Sequence, residues 1–143
     1  MRSRIATVVG TTVVATLFTI TQASAITHEQ DHATATTTTS SGPWTCTADA
    51  YTQVCFSPDG DWFHIQDREA DGKSAVAEWT IENTIDGSAT RWGDIWMTAG
   101  NNEWRYQNKD LPEASRLKIR TCHGDYEGHV VASCLNTLYV STG

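Results

Sequence analysis

Acidic residues with a regular spacing mark residues 67–78 as a candidate metal site. The positions that an EF-hand calcium loop numbers 1, 3, 5, 6 and 12 are filled here by Asp67, Glu69, Asp71, Gly72 and Glu78. Glu at position 3 is longer than the usual Asp or Asn, and Ser74 stands where an apolar residue is normal. The flanking residues have the alternation of strands, whereas the calcium motif lies between helices. We therefore expect a hairpin turn with Gly72 at positive φ, and no metal ion.

Catalysis by side chains alone would need carboxylates or histidines in a defined arrangement. Nothing in the sequence sets two carboxylates at the separation that glycoside hydrolysis requires; the candidates are Asp59, Asp61, Asp67, Asp71 and Asp94. No G-x-S-x-G or H-E-x-x-H motif accompanies the remaining candidates, His64, His123 and His129. We expect neither enzymatic activity nor a cofactor.

Four cysteines predict two disulfides in a small chain of this kind: Cys46, Cys55, Cys122 and Cys134. Three pairings are possible, and the short separations favour Cys46–Cys55 and Cys122–Cys134, each across a hairpin. The sequence has no C-x-x-C pair, so a zinc site is not expected.

Six tryptophans are the other unusual feature of the composition. A sugar-stacking platform is one interpretation, and burial in a small core is the other. Trp79 follows Ala75 and Ala77 in alternation and is expected in the core. Trp92 and Trp96 share a face of a partly polar strand, so they are candidate contacts to a protein or a glycan.

The elements that position these residues have strand periodicity throughout. Short alternating segments are separated by turns such as Pro58-Asp59-Gly60-Asp61 and Asp86-Gly87. No segment has sustained helical periodicity with caps. The sequence therefore predicts one all-β domain over residues 44–143, a small antiparallel β-sandwich or barrel of hairpins with two local disulfides.

The N-terminus has the pattern of an export signal. Arg2 and Arg4 precede an apolar run, and Ala23-Ser24-Ala25 supplies small residues for cleavage, which predicts a signal peptide over residues 1–25 and a secreted, extracellular protein. The run is short for a transmembrane anchor. Cleavage would leave eight Lys/Arg against seventeen Asp/Glu, a balance that disfavours nucleic acid and anionic membranes as partners.

Residues 26–43 contain a threonine run and few large apolar side chains. Such a segment cannot bury enough surface to offset its ordering entropy, so it is expected to be a flexible arm. It is either a spacer or a binding arm that adds to a partner's sheet edge.

The turn at residues 67–75, followed by Trp79, resembles a pattern in small secreted proteins of Streptomyces and related actinomycetes. In these proteins an Ala-Asp-Gly turn enters a strand that begins Ser-Ala. The leader, size and layout are also similar to those of the adaptor subunits of umbrella toxin particles, which are antibacterial assemblies. The resemblance implies two secreted partners: a lectin-type subunit whose degenerate trypsin-like domain receives the arm, and a repeat-containing stalk subunit.

We accordingly expect a non-enzymatic adaptor that binds other secreted proteins. Its candidate contact residues are Thr34, Thr36, Thr37, Thr38, Thr39, Trp44, Trp92 and Trp96. A secreted inhibitor of a protease or other hydrolase is one alternative, because the same arm would fill an active site. A carbohydrate-binding module is the other.

Overall fold

A computed structural model describes residues 26–143, which form nine strands and no helix. The strands are β1 (His28–His32), β2 (Thr45–Ala48), β3 (Thr52–Ser57), β4 (Trp62–Asp67), β5 (Ser74–Glu82), β6 (Ala89–Met97), β7 (Trp104–Asn108), β8 (Arg116–Asp125) and β9 (Val130–Ser141). The prediction of an all-β fold is confirmed. In this part of the chain no helix is long and apolar enough to cross a membrane. The predicted signal peptide lies outside the described residues.

The strands form two sheets. A five-stranded sheet has the order β1-β6-β5-β8-β9, and a four-stranded sheet has the order β2-β3-β4-β7. Every pairing between strands is antiparallel except that of β1 with β6, which is parallel. The five-stranded sheet is mixed only because β1 joins it, and the predicted domain over residues 44–143 is antiparallel throughout.

The core lies between the two sheets and follows from alternation along the strands. Ala75, Ala77, Trp79 and Ile81 of β5 all point inward and are at most 3% exposed, as their spacing predicts. On the opposite sheet, Val54, Phe56, Phe63 and Ile65 complete the same cluster. Burying large aromatic and branched side chains in this way contributes about 1.5–3 kcal/mol each.

Both disulfides have the predicted local pairing. Cys46–Cys55 joins β2 to β3, and Cys122–Cys134 joins β8 to β9. Within the described residues no cysteine is free. Disulfides persist in oxidising compartments, so the pairing favours such an environment for this protein.

The N-terminal segment corrects the prediction of a flexible arm over residues 26–43. Residues 28–32 pair with β6 in parallel, from His28 opposite Trp92 to His32 opposite Trp96. Polar contacts replace the missing apolar surface: Lys109 Nζ lies 2.7 Å from Glu29 Oε2 and 2.6 Å from Asp31 Oδ2. The apolar composition of the segment does not reveal this strand, which combines main-chain pairing to β6 with ion pairs.

Two contacts join the sheets along their sides. Thr34 and Tyr106 form an isolated antiparallel bridge between the end of the β1 segment and β7. On the other side, Asn136 Nδ2 donates to the Ala48 carbonyl oxygen at 2.5 Å, which connects β9 to β2. The sandwich is therefore partly closed on both sides.

Candidate binding surfaces

Strand β9 is a long edge strand with apolar side chains directed to solvent. It spans twelve residues and lies at the end of the five-stranded sheet opposite β1. Val130, Leu135 and Tyr139 are 57%, 54% and 49% exposed, and they are half of the large hydrophobic residues that are exposed in the described chain. Long, apolar, unpaired edges are templates for another strand.

A shallow groove runs beside the second half of β9. It has a volume of about 360 Å³ and lies between residues 139–141 and residues 114–116. Arg116 Cζ sits 4.4 Å from the centroid of the Tyr139 ring, so this tyrosine is held in place by a cation–π contact. A side chain from an added strand would find an apolar recess next to the edge.

A second surface is the outer side of the four-stranded sheet, where aromatic rings cluster around His64. The His64 ring stacks on Tyr106 with centroids 4.1 Å apart and an interplanar angle of 17°. Trp104 lies 4.0 Å from the same ring and Trp44 5.4 Å from it. All four side chains are half-buried. We call Trp44, His64, Trp104 and Tyr106 the aromatic face.

Strand pairing places these rings side by side. Tyr106 is the cross-strand partner of His64, and Trp104 is paired with Gln66 on the same side of the sheet. Because side chains alternate across a strand, Trp62, His64 and Gln66 of β4 all point outward while Phe63 and Ile65 point into the core. The sheet therefore presents a row of rings to solvent.

Burial among the rings lowers the pKa of His64 to about 4, because the charged imidazolium loses its hydration there. Its Nε2 atom is buried without a hydrogen-bond partner. The histidine is thus neutral at physiological pH and acts as an aromatic spacer between Tyr106 and Trp104.

The threonines predicted to contact a partner lie in different environments. Thr34 is fixed by its backbone bridge to Tyr106, with N···O distances of 2.9 Å in both directions. Thr36 accepts a 3.2 Å hydrogen bond from the Thr38 backbone N–H within a local turn. Thr37 and Thr38 are exposed, and residues 35–41 contain no strand. This short connection is what remains of the predicted arm.

The tryptophans predicted to contact a partner also differ in their exposure. Trp92 is half-buried, and its indole is stacked on His28 with centroids 4.0 Å apart. Trp96 is only 1% exposed, because Tyr126 and His129 from the β8–β9 turn pack edge-on against it. The proposal of Trp92 and Trp96 as an exposed pair is therefore wrong for Trp96. Trp44 lies on the aromatic face.

Carboxylates and histidine meet on the outer side of the five-stranded sheet. Asp94 is 3% exposed, and His28 Nε2 lies 2.8 Å from its Oδ2 atom. Burial raises the pKa of Asp94, with His28 opposing the shift. Its cross-strand neighbour Glu78 is paired with Arg120, whose Nε lies 2.9 Å from Glu78 Oε1. This carboxyl is therefore shielded from solvent by its neighbours.

The acidic turn connects β4 of the four-stranded sheet to β5 of the five-stranded sheet, so the prediction of a hairpin is wrong here. Gly72 does have the predicted positive φ, at 79°. Asp67 accepts the Glu69 backbone N–H at 3.1 Å and Asp71 accepts that of Lys73 at 2.8 Å, so these carboxylates stabilise the turn itself. Within residues 26–143, Glu78, Cys122 and Cys134 place potential metal-ligand atoms close together. The sulfur atoms of Cys122 and Cys134 are bonded to each other in a disulfide.

The sequence does not single out Tyr106 or His64 as contacts, although the alternation Trp104-Arg105-Tyr106 puts two rings on one side of a strand. Nor does it single out Leu135 and Tyr139 of β9. Their exposure depends on β9 being an edge, which is a property of sheet order and has no local signal.

These features define a disulfide-stabilised two-sheet β protein with an apolar free edge and a separate aromatic face. No family model, curated protein or solved structure matches this chain. Function must therefore be inferred from the two surfaces.

Proposed function

We propose that this protein is a secreted, non-enzymatic protein-binding module that accepts a strand from a partner along β9. The observation that carries the proposal is the exposure of Val130, Leu135 and Tyr139 on a twelve-residue edge strand. Main-chain groups at such an edge provide affinity for an added strand, and alternate side chains provide specificity.

The opposite edge of the same sheet supports an adaptor role. Strand β1 lies at that edge, and the connection at residues 35–41 leads away from it with exposed Thr37 and Thr38. Two edges on opposite sides of one sheet suit a protein that joins two subunits without bringing them into contact. By the resemblance described above, these subunits are a lectin-type protein with a degenerate trypsin-like domain and a repeat-containing stalk protein of an antibacterial particle.

The binding mode at the N-terminal edge differs from the one expected for a free arm. Since β1 is paired with β6 and its Glu29 and Asp31 are bound by Lys109 at the end of β7, the partner would bind a formed strand and the threonine connection. Such a contact avoids most of the ordering entropy that a disordered arm loses on binding.

The test is a binding titration of the purified full chain, with native disulfides, against the lectin-type and stalk subunits. Leu135→Lys and Tyr139→Lys should each weaken binding of one subunit at least tenfold, because a charge would be placed against the added strand. Ile85→Lys is the matched control, since Ile85 is 93% exposed in the turn between β5 and β6, which are not edge strands. Unchanged affinity of both β9 variants for both subunits would refute the role of β9.

A further inference from the structure

We propose that the aromatic face binds an uncharged polysaccharide of pyranose units by ring stacking. This site is separate from the β9 edge, so the proposal goes beyond the protein-binding function. Trp104, Tyr106 and Trp44 would supply the stacking surfaces, and amide side chains around them would supply hydrogen bonds to sugar hydroxyls.

The first reason to propose sugar binding is the arrangement of the rings. His64 fills the space between Tyr106 and Trp104, so the two rings stand at fixed positions on neighbouring points of β7. Rings held by packing lose little conformational entropy on binding. A pyranose offers an apolar C–H surface and a polar periphery, which matches a ring surrounded by amides.

The second reason, which indicates a neutral ligand, is the lack of charge on this surface. The chain has a formal net charge of −7, yet the outward positions of β3, β4 and β7 hold no acidic or basic side chain other than the neutral His64. These positions are Gln53, Cys55, Ser57, Trp62, His64, Gln66, Trp104, Tyr106 and Asn108. An uncharged surface on an acidic protein offers no ionic attraction to an acidic or a basic ligand, and fits a neutral one.

The contrast with the other sheet supports this choice. Its outer side carries the ion pairs Glu78–Arg120 and Glu82–Lys118, so the molecule separates a charged side from a neutral aromatic side. The amides on the neutral side keep acceptors free. Gln66 and Asn108 donate their amide N–H groups to backbone carbonyls, and their oxygens accept no hydrogen bond in the described chain.

The experiment measures depletion of the full chain from solution by two neutral insoluble polysaccharides, cellulose and chitin. Soluble polygalacturonate and heparin serve as charged probes in affinity electrophoresis. We expect binding to at least one neutral polysaccharide, persisting in 1 M salt, which leaves a Debye length of about 3 Å. We also expect at least tenfold weaker binding for Trp104→Ala and for Tyr106→Ala. Trp104→Phe should recover most of the affinity, because a ring is restored.

The matched control is Tyr126→Ala, which removes a 37% exposed ring from the other sheet. If Trp104→Ala does not fold with both disulfides, Gln66→Ala replaces it, with an expected loss of threefold or more. Binding to neither neutral polysaccharide, or binding that the aromatic variants leave intact, overturns the proposal. Loss of a protein partner by Trp104→Ala without any polysaccharide binding would assign this face to protein recognition instead. Leu135→Lys should retain polysaccharide binding, which separates this test from that of β9.

Discussion

Thr34 and Tyr106 exchange both of their backbone hydrogen bonds, with N···O distances of 2.9 Å in each direction. This pair ties the N-terminal segment of one sheet to strand β7 of the other. Tyr106 also stacks on His64, so the same residue joins the N-terminal segment to the aromatic face. The segment from His28 to Thr34 is therefore part of the sandwich, and its attachment can be tested.

Gly93→Ala should detach β1 from the sheet. A Cβ atom at this position would lie 2.5 Å from the Glu29 backbone oxygen, and a backbone atom cannot move aside without moving the strand. We expect loss of hydrogen-exchange protection at residues 28–34, and a decrease of about 1–3 kcal/mol in the free energy of unfolding. Hydrogen exchange and urea denaturation measure the two effects.

Gly72→Ala is the control for Gly93→Ala. Gly72 has φ 79° and no neighbour within 4 Å of an added Cβ, so the substitution strains a turn without touching β1. Protection of residues 28–34 should persist in this variant. Equal protection in both variants would contradict the close approach of β1 to Gly93.

Lys109→Met should weaken the acid-sensitive attachment of β1. The hydrogen bond from Arg91, together with Lys109, lowers the pKa of Glu29 to about 2, against burial, which raises it. Because this folded pKa is below the ordinary value of 4.5, the associated stability is present above pH 4.5 and is lost as the pH falls towards 2. In Lys109→Met this dependence should become shallower.

Urea denaturation between pH 2 and pH 6 measures the effect of Lys109→Met. Lys118→Met is the control, since Lys118 Nζ lies 3.9 Å from Glu82 and contacts no residue of β1. A curve for Lys109→Met that is parallel to the wild-type curve would show that Lys109 does not stabilise the charged form of Glu29.

Replacing Cys122 and Cys134 together by Ala should destabilise the protein more than replacing Cys46 and Cys55. The closed loops are similar, with sequence separations of 12 and 9, so each bridge restricts the unfolded chain by about 2–3 kcal/mol. Cys122 additionally packs with Val76 and Trp96 in a small cluster. Urea denaturation of both double variants measures the difference, and equal losses would show that this cluster contributes little.

His64→Phe should reduce the loss of stability in mild acid. The folded pKa of His64 is about 4, below its ordinary value of 6.5, because burial disfavours the charged form. The unfolded chain therefore binds a proton first, and stability is lost as the pH falls from 6.5 towards 4. The variant should have a flatter curve over that interval, whereas Gln66→Leu, a neighbour without a titratable group, should keep the wild-type slope.

Local sequence patterns were sufficient to predict most strands and both disulfides. Alternation at Ala75, Ala77 and Trp79 identified the inward side of β5, and the cysteine separations identified the hairpins that carry the bridges. These features depend on residues close together in the chain. Gly72 at the tip of its turn was predictable for the same reason.

Features that depend on distant residues were not predictable. The partners of Glu29 are Arg91 and Lys109, which are 62 and 80 positions away. No local sequence pattern predicts these contacts. The burial of Trp96 depends on Tyr126 and His129 in a later turn. Edge exposure of Leu135 likewise follows from sheet order, which cannot be read from one strand.

The parallel pairing of β1 also constrains the order in which the molecule can assemble. His28 contacts Asp94, 66 positions further along the chain, so β1 is synthesised long before the strand that receives it. The β2–β3 and β3–β4 hairpins can form from nearby residues in the meantime, at a smaller entropic cost. The first described strand therefore cannot pair until β6 has been synthesised, and until then this segment of the nascent chain has no partner strand.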